Sequence, residues 1–124
     1  MERKGKTGIP RLIDAFRYSF AGFKAAWKNE EAFRQETLLA IFVIPAGLWI
    51  GRTGAERALL VAVYLMIPLT ELINSAIESI VDRMGPEHHI LAGRAKDMGS
   101  AAVLLIICIA IIVWGLIAYS RFVA

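Results

Sequence analysis

Three apolar runs, at residues 38–50, 58–70 and 99–119, constrain this chain more than any other feature. About 20 residues of helix cross the hydrocarbon core of a bilayer. The third run reaches that length alone. The first does so when residues 32–36 are included, and the second continues beyond Thr70 into a stretch that turns polar. Hydrophobic residues make up 57% of the 124, against about 45–50% in soluble domains. A soluble core of this size could not hide that excess. The expected architecture is therefore one all-α integral membrane domain, with three transmembrane helices over 32–51, 56–84 and 97–121.

Ahead of these spans, Ile9, Leu12, Ile13, Phe16, Phe20, Phe23 and Trp27 recur at steps of three and four, which marks one face of a helix. Arg11, Asp14, Arg17, Lys24 and Lys28 fall largely on other faces, and Pro10 suits a first helical turn. Residues 9–29 read as an amphipathic helix lying in the membrane surface, with 1–8 as a mobile tail. Basic residues beside such a stripe fit headgroups better than nucleic acid. The charged N-terminus has no early apolar run, so no cleavable signal peptide is expected.

The N-terminal segment carries Arg3, Lys4, Lys6, Arg11, Arg17, Lys24, Lys28 and Arg34, and the second loop adds Arg83, Arg94 and Lys96. The other side has only Arg52, Arg57 and Arg121. This bias puts the N-terminus in the cytoplasm and the C-terminus in the periplasm. Residues 51–54 form a tight polar turn, Trp49 beside it is an interfacial aromatic, and Gly85 and Pro86 end the second span. The lone Cys108 is expected to be an inert buried thiol. Pro45 and Pro68 lie inside spans; Pro68 should free the carbonyl of Tyr64 and could kink the helix.

Polar residues in a spanning helix cost free energy unless paired or solvated, so they are candidates for function. Glu71, Asn74, Ser75, Glu78 and Asp82 share one face of the second span. That stripe reads either as a wet cleft reaching a lipid headgroup or as a polar seam or pore wall. Glu30, Glu71 and Glu78 offer oxygen ligands that suit magnesium. His88 and His89 read as surface residues. No GxxxxGK[ST] loop is present, so a bound nucleotide would need metal ions, Lys96 and other basic residues to neutralise its phosphates. Lys96 and Arg94 read equally well as ordinary cytoplasmic basic residues.

The segment Glu71-Leu72-Ile73-Asn74-Ser75-Ala76-Ile77-Glu78, followed by Asp82, resembles the signature of prokaryotic diacylglycerol kinases. Ala25-Ala26-Trp27, Asn29-Glu30, Ala32-Phe33-Arg34-Gln35-Glu36 and the run from Gly93-Arg94-Ala95-Lys96-Asp97 to Ala102 are similar to the same family, in order and over nearly the whole chain. The resemblance implies a homotrimeric helical bundle in the bacterial inner membrane, with active sites shared between neighbours. It implies transfer of the ATP γ-phosphoryl group to diacylglycerol, giving phosphatidic acid. By position, Glu71 matches the general base, and Glu30 and Glu78 match the magnesium ligands. Arg11, Tyr18, Glu30, Glu78, Glu87, His89, Lys96 and Asp97 match the nucleotide site. Arg11, Ser19, Trp27, Gln35, Glu71, Asn74 and Ser100 match the lipid side, while Glu36 and Asp82 take support roles.

A carboxylate partly withdrawn from water is a better base than a solvated one, which suits Glu71. The small residues Gly99, Ser100, Ala101 and Ala102 would let a neighbouring helix approach closely. Two other readings remain open: an undecaprenol kinase, which resembles this chain across the same motifs, and a non-enzymatic pore or scaffold subunit.

Overall fold

The computed structural model describes residues 5–85 and 89–124. Four helices follow in order: α1 (Gly8–Asn29), α2 (Glu31–Ile50), α3 (Gly54–Arg83) and α4 (Ile90–Phe122). No strand occurs among the described residues. The last three helices are long and apolar enough to cross a membrane, and the protein is an all-α membrane protein as its apolar runs require.

Helix α1 leaves its apolar stripe open, from Ile9 at 74% exposure through Phe20 at 69% to Trp27 at 43%. A face that large and apolar is stable only against lipid or another protein. One α2 side chain closes the end of α1. Arg34 Nη1 donates to the carbonyls of Trp27 (2.8 Å) and Lys28 (3.1 Å), two groups with no partner inside the helix. Glu30, extended at φ −115° and ψ 106°, is the only residue between α1 and α2.

The α2–α3 connection is tighter still. Thr53 starts α3 with a capping box: its hydroxyl accepts from Glu56 N–H at 3.1 Å, and Glu56 Oε2 accepts from the Thr53 amide at 3.3 Å. Gly51 is needed there, because a Cβ would lie 2.7 Å from Arg57 Cγ. The packed interior lies chiefly between α3 and α4, with α2 against it. Leu60 is completely buried, and Val63, Tyr64, Ile67, Ile106 and Ala110 surround it or extend the same seam. Trp114 and Tyr64 place their polar ends on backbone carbonyls, of Leu60 (3.1 Å) and Glu36, so two large rings enter the seam without an unpaired donor.

Helices α2 and α3 run uninterrupted through Pro45 and Pro68. The larger departure is α4. It begins at Ile90, so Arg94 and Lys96, expected in a loop, occupy its first turns. His89 caps it, Nδ1 accepting from Leu91 N–H at 3.0 Å, a starting signal that the charged composition of the segment hid. Cys108 is exposed on the surface of the chain instead of buried, on a face of α4 that the other three helices leave open.

Candidate active site

Long helices carry the carboxylates, and their ends set which of them meet. Glu71, Asn74 and Glu78 lie along one side of α3 and are all half-buried. Glu30 arrives from the α1–α2 junction. Glu71 stands within electrostatic reach of Glu78 and Glu30, and also of Glu36 on α2. Asn74 Nδ2 donates to Glu78 Oε1 at 3.4 Å. Asn74 Oδ1 and Glu36 Oε2 are buried with no hydrogen-bond partner.

Gly99 of α4 makes this crowding possible. Its Cα lies against Asn74, and a Cβ there would collide with Asn74 Oδ1 and come within 3.2 Å of Cγ. Gly99 was expected to receive a neighbouring chain; it is buried inside its own chain, whereas Ser100, Ala101 and Ala102 remain exposed.

No lysine or arginine forms an ion pair with Glu30, Glu36, Glu71 or Glu78 among the described residues. The nearest candidate, Lys96, binds Asp82 at 2.9 Å at the end of α3. Gathered carboxylates without basic partners attract a cation. Among the described residues, no three His, Cys, Asp or Glu side chains converge to form a protein-only metal cage. Magnesium is usually held by one or two carboxylates together with substrate phosphates and water. Glu30 and Glu78 fit that donor set.

Beside the carboxylates, α1 and α3 enclose a groove of about 570 Å³, lined by Ser19, Phe23, Ala26, Glu30, Leu72 and Ser75, among others. Its walls are mostly apolar, with a few hydroxyls and one carboxylate, as suits a lipid with a polar head. Ser19 and Ser79, which both line it, turn their hydroxyls to the backbone of their own helices, at Ala15 and Ser75.

The other residues marked by resemblance are dispersed on the single chain. Arg11, Asp97 and Ser100 are exposed, and no hydrogen bond or ion pair among the described residues links them to the carboxylates. Tyr18 is half-buried on α1. Trp27 is partly exposed, and Gln35 donates to Glu31 at 3.3 Å. His89 is the cap of α4. Glu87 and its neighbour His88 lie outside the described residues.

Sequence reasoning missed the α3 wall of the groove, Leu72, Ala76 and Ser79, and the closeness of Glu36 to Glu71. The signal for Glu36 was a second carboxylate at the edge of an apolar run. Nothing in sequence spacing links it to one 35 positions away.

Residues 17–118 match the family model described as prokaryotic diacylglycerol kinase. A diacylglycerol kinase of Escherichia coli is 46% identical over 116 residues, covering 94% of this chain and 95% of that protein. One from Haemophilus influenzae is 49% identical over 109 residues, covering 88% and 92%. One from Pseudomonas aeruginosa is 46% identical over 114 residues, covering 92% and 93%. With the carboxylate stripe and three spanning helices in place, the chain belongs to the prokaryotic diacylglycerol kinase family.

Proposed function

We propose that this chain is a lipid kinase that moves the γ-phosphoryl group of ATP to the primary hydroxyl of diacylglycerol at the cytoplasmic face of a bacterial inner membrane. The observation that carries this reading is the group of carboxylates Glu30, Glu71 and Glu78, which forms no ion pair among the described residues and lies beside an apolar groove.

Glu71 is the general base. It accepts the hydroxyl proton as the substrate oxygen bonds to the γ-phosphorus and the bond to the β-phosphate oxygen breaks, releasing ADP. Glu30 and Glu78 hold magnesium, which supplies charge neutralisation for the phosphates when bound. Asn74 steadies Glu78. Lys96 exchanges Asp82 for phosphate oxygens, and Arg11, Tyr18, His89, Asp97 and Glu87 complete the nucleotide side. Ser19, Trp27, Gln35 and Ser100 border the lipid. The chain acts as a homotrimer with sites shared between neighbours. Its carboxylates are only half-covered in one chain, and the exposed Ser100, Ala101 and Ala102 leave room for a neighbouring helix. Its N-terminus is cytoplasmic and its C-terminus periplasmic.

The test uses the purified trimer in mixed micelles with magnesium and ATP, with diacylglycerol and undecaprenol offered separately. Phosphatidic acid should form, and form faster than undecaprenyl phosphate. A faster undecaprenol reaction would move the protein to the other lipid class, and a folded trimer without lipid-dependent ATP use would revive the pore or scaffold reading. In the same assay Glu78→Gln should raise the magnesium needed for half-maximal rate about tenfold or more, since even a lost outer-shell partner costs that much.

A further inference from the structure

The opposite end of the bundle gathers charge that the carboxylate site does not use. Arg52 Nη2 donates to the carbonyls of Ser120 (3.0 Å) and Arg121, tying the α2–α3 turn to the end of α4. Arg57 Nε donates to Gly51 O at 3.0 Å, so its side chain lies over the same turn. The Arg121 guanidinium carbon stands 5.8 Å from the centroid of the Phe122 ring, and its Nε is buried without a partner. Three guanidinium groups thus share one end of the molecule.

Among the described residues they outnumber the one acidic side chain at this end, Glu56. Glu56 is the only acidic residue between Glu36 and Glu71, and α4 has none beyond Asp97. Glu56 Oε2 is taken by the amides of Arg52 (2.7 Å) and Thr53 (3.3 Å). None of the three arginines forms an ion pair among the described residues. Their carbonyl contacts use only Arg52 Nη2 and Arg57 Nε, leaving the other N–H groups to act as the planar fork that matches phosphate oxygens.

The surroundings distinguish a lipid phosphate from a free one. Trp49 (65% exposed), Tyr119 (61%) and Phe122 (57%) lie at the same end of the bundle, the Trp49 and Phe122 rings pack at 5.7 Å, and Phe122 neighbours Arg121. Such rings settle where acyl chains give way to headgroups. Inorganic phosphate would gain nothing from them, whereas a phosphate carried on acyl chains would meet charge and apolar surface together.

We infer that Arg52, Arg57 and Arg121 form a binding site for the phosphate of an anionic phospholipid in the leaflet at the α2–α3 end, with Trp49 and Phe122 against the upper part of its chains. The site is independent of the proposed reaction and requires only that the three long helices span.

The test uses the full-length chain with Trp27→Phe, which leaves Trp49 and Trp114, both toward this end, as the fluorescent reporters. The protein is placed in neutral-lipid bilayers containing brominated phosphatidylglycerol or brominated phosphatidylcholine. Half-quenching should need about fivefold less of the anionic lipid, or lower still, as each arginine near a membrane surface contributes roughly that factor. Arg57→Gln with Arg121→Gln should lower the ratio by about fivefold or more, leaving only the contribution of Arg52. Arg121→Gln alone should give an intermediate ratio; that side chain donates no hydrogen bond among the described residues, so this variant serves should the double one fail to fold. Excess inorganic phosphate at matched ionic strength should leave quenching unchanged. Equal quenching of the unsubstituted site by the two lipids, a preference that the substitutions leave undiminished, or displacement by inorganic phosphate would each overturn the assignment.

Discussion

The two ends of the helical bundle handle polar groups in opposite ways. At the α2–α3 turn, backbone donors and acceptors that helix ends leave open are met by Thr53, Glu56, Arg52 and Arg57. At the other end, where α1 meets α3, four carboxylates stand near one another, and Glu36 Oε2 and Asn74 Oδ1 are buried without partners. A buried polar group left unpaired costs about 1–3 kcal/mol. A chain that caps one end so thoroughly has the means to pair the other. The arrangement is what the proposed site would require at the carboxylate end, where unpaired polar groups cost stability.

This contrast can be broken by substitutions at each end. The largest effect is expected from Glu71→Gln, which should lower turnover by about 10²- to 10⁴-fold, the range of a lost general base, while the fold and its helix content persist. Normal turnover by a folded Glu71→Gln protein would remove Glu71 from the proposed role. Next comes Gly99→Ala. Its added methyl must displace Asn74, and overpacking of this kind costs roughly 1–3 kcal/mol. Unfolding in denaturing detergent should show that loss together with slower turnover, and unchanged stability would mean that α3 and α4 separate easily at this point.

At the capped end, Thr53→Ala should cost about 1 kcal/mol in the same unfolding measurement and leave turnover per folded molecule unaltered. A kinetic defect there would show that the two ends are coupled. The smallest effect concerns α1, outside the spans. Lys6 donates to Asp14 at 2.7 Å, and this hydrogen bond, with the charges of Lys6 and Arg17, holds the Asp14 carboxyl below its ordinary value. A group so depressed stabilises the fold fully above its unfolded pKa, and that contribution fades as pH falls through the lower folded value. An NMR titration of the Asp14 carboxyl carbon should have its midpoint below that of a free aspartate; a midpoint at or above it would mean that the pair is not formed in solution.

Sequence alone determined the solvent, the helix count and which polar residues share one face of the second span. Apolar runs too long for a soluble core require a bilayer, and in a bilayer backbone groups must pair within helices. Glu71, Asn74 and Glu78 were legible because an α-helix fixes which residues share a face. Such periodic signals are local, and a single chain carries them without reference to its partners.

Tertiary structure decided what the helical period cannot reach. It extended α4 back to Ile90, where His89 caps the helix. It put Glu36 of α2 beside Glu71 of α3, spent Gly99 on Asn74 within the chain, and drew Lys96 to Asp82. It also brought Arg52, Arg57 and Arg121 to one end. These pairings depend on the relative rotation and offset of packed helices. That geometry is set by side-chain shapes across the whole seam, so no single stretch of sequence contains it.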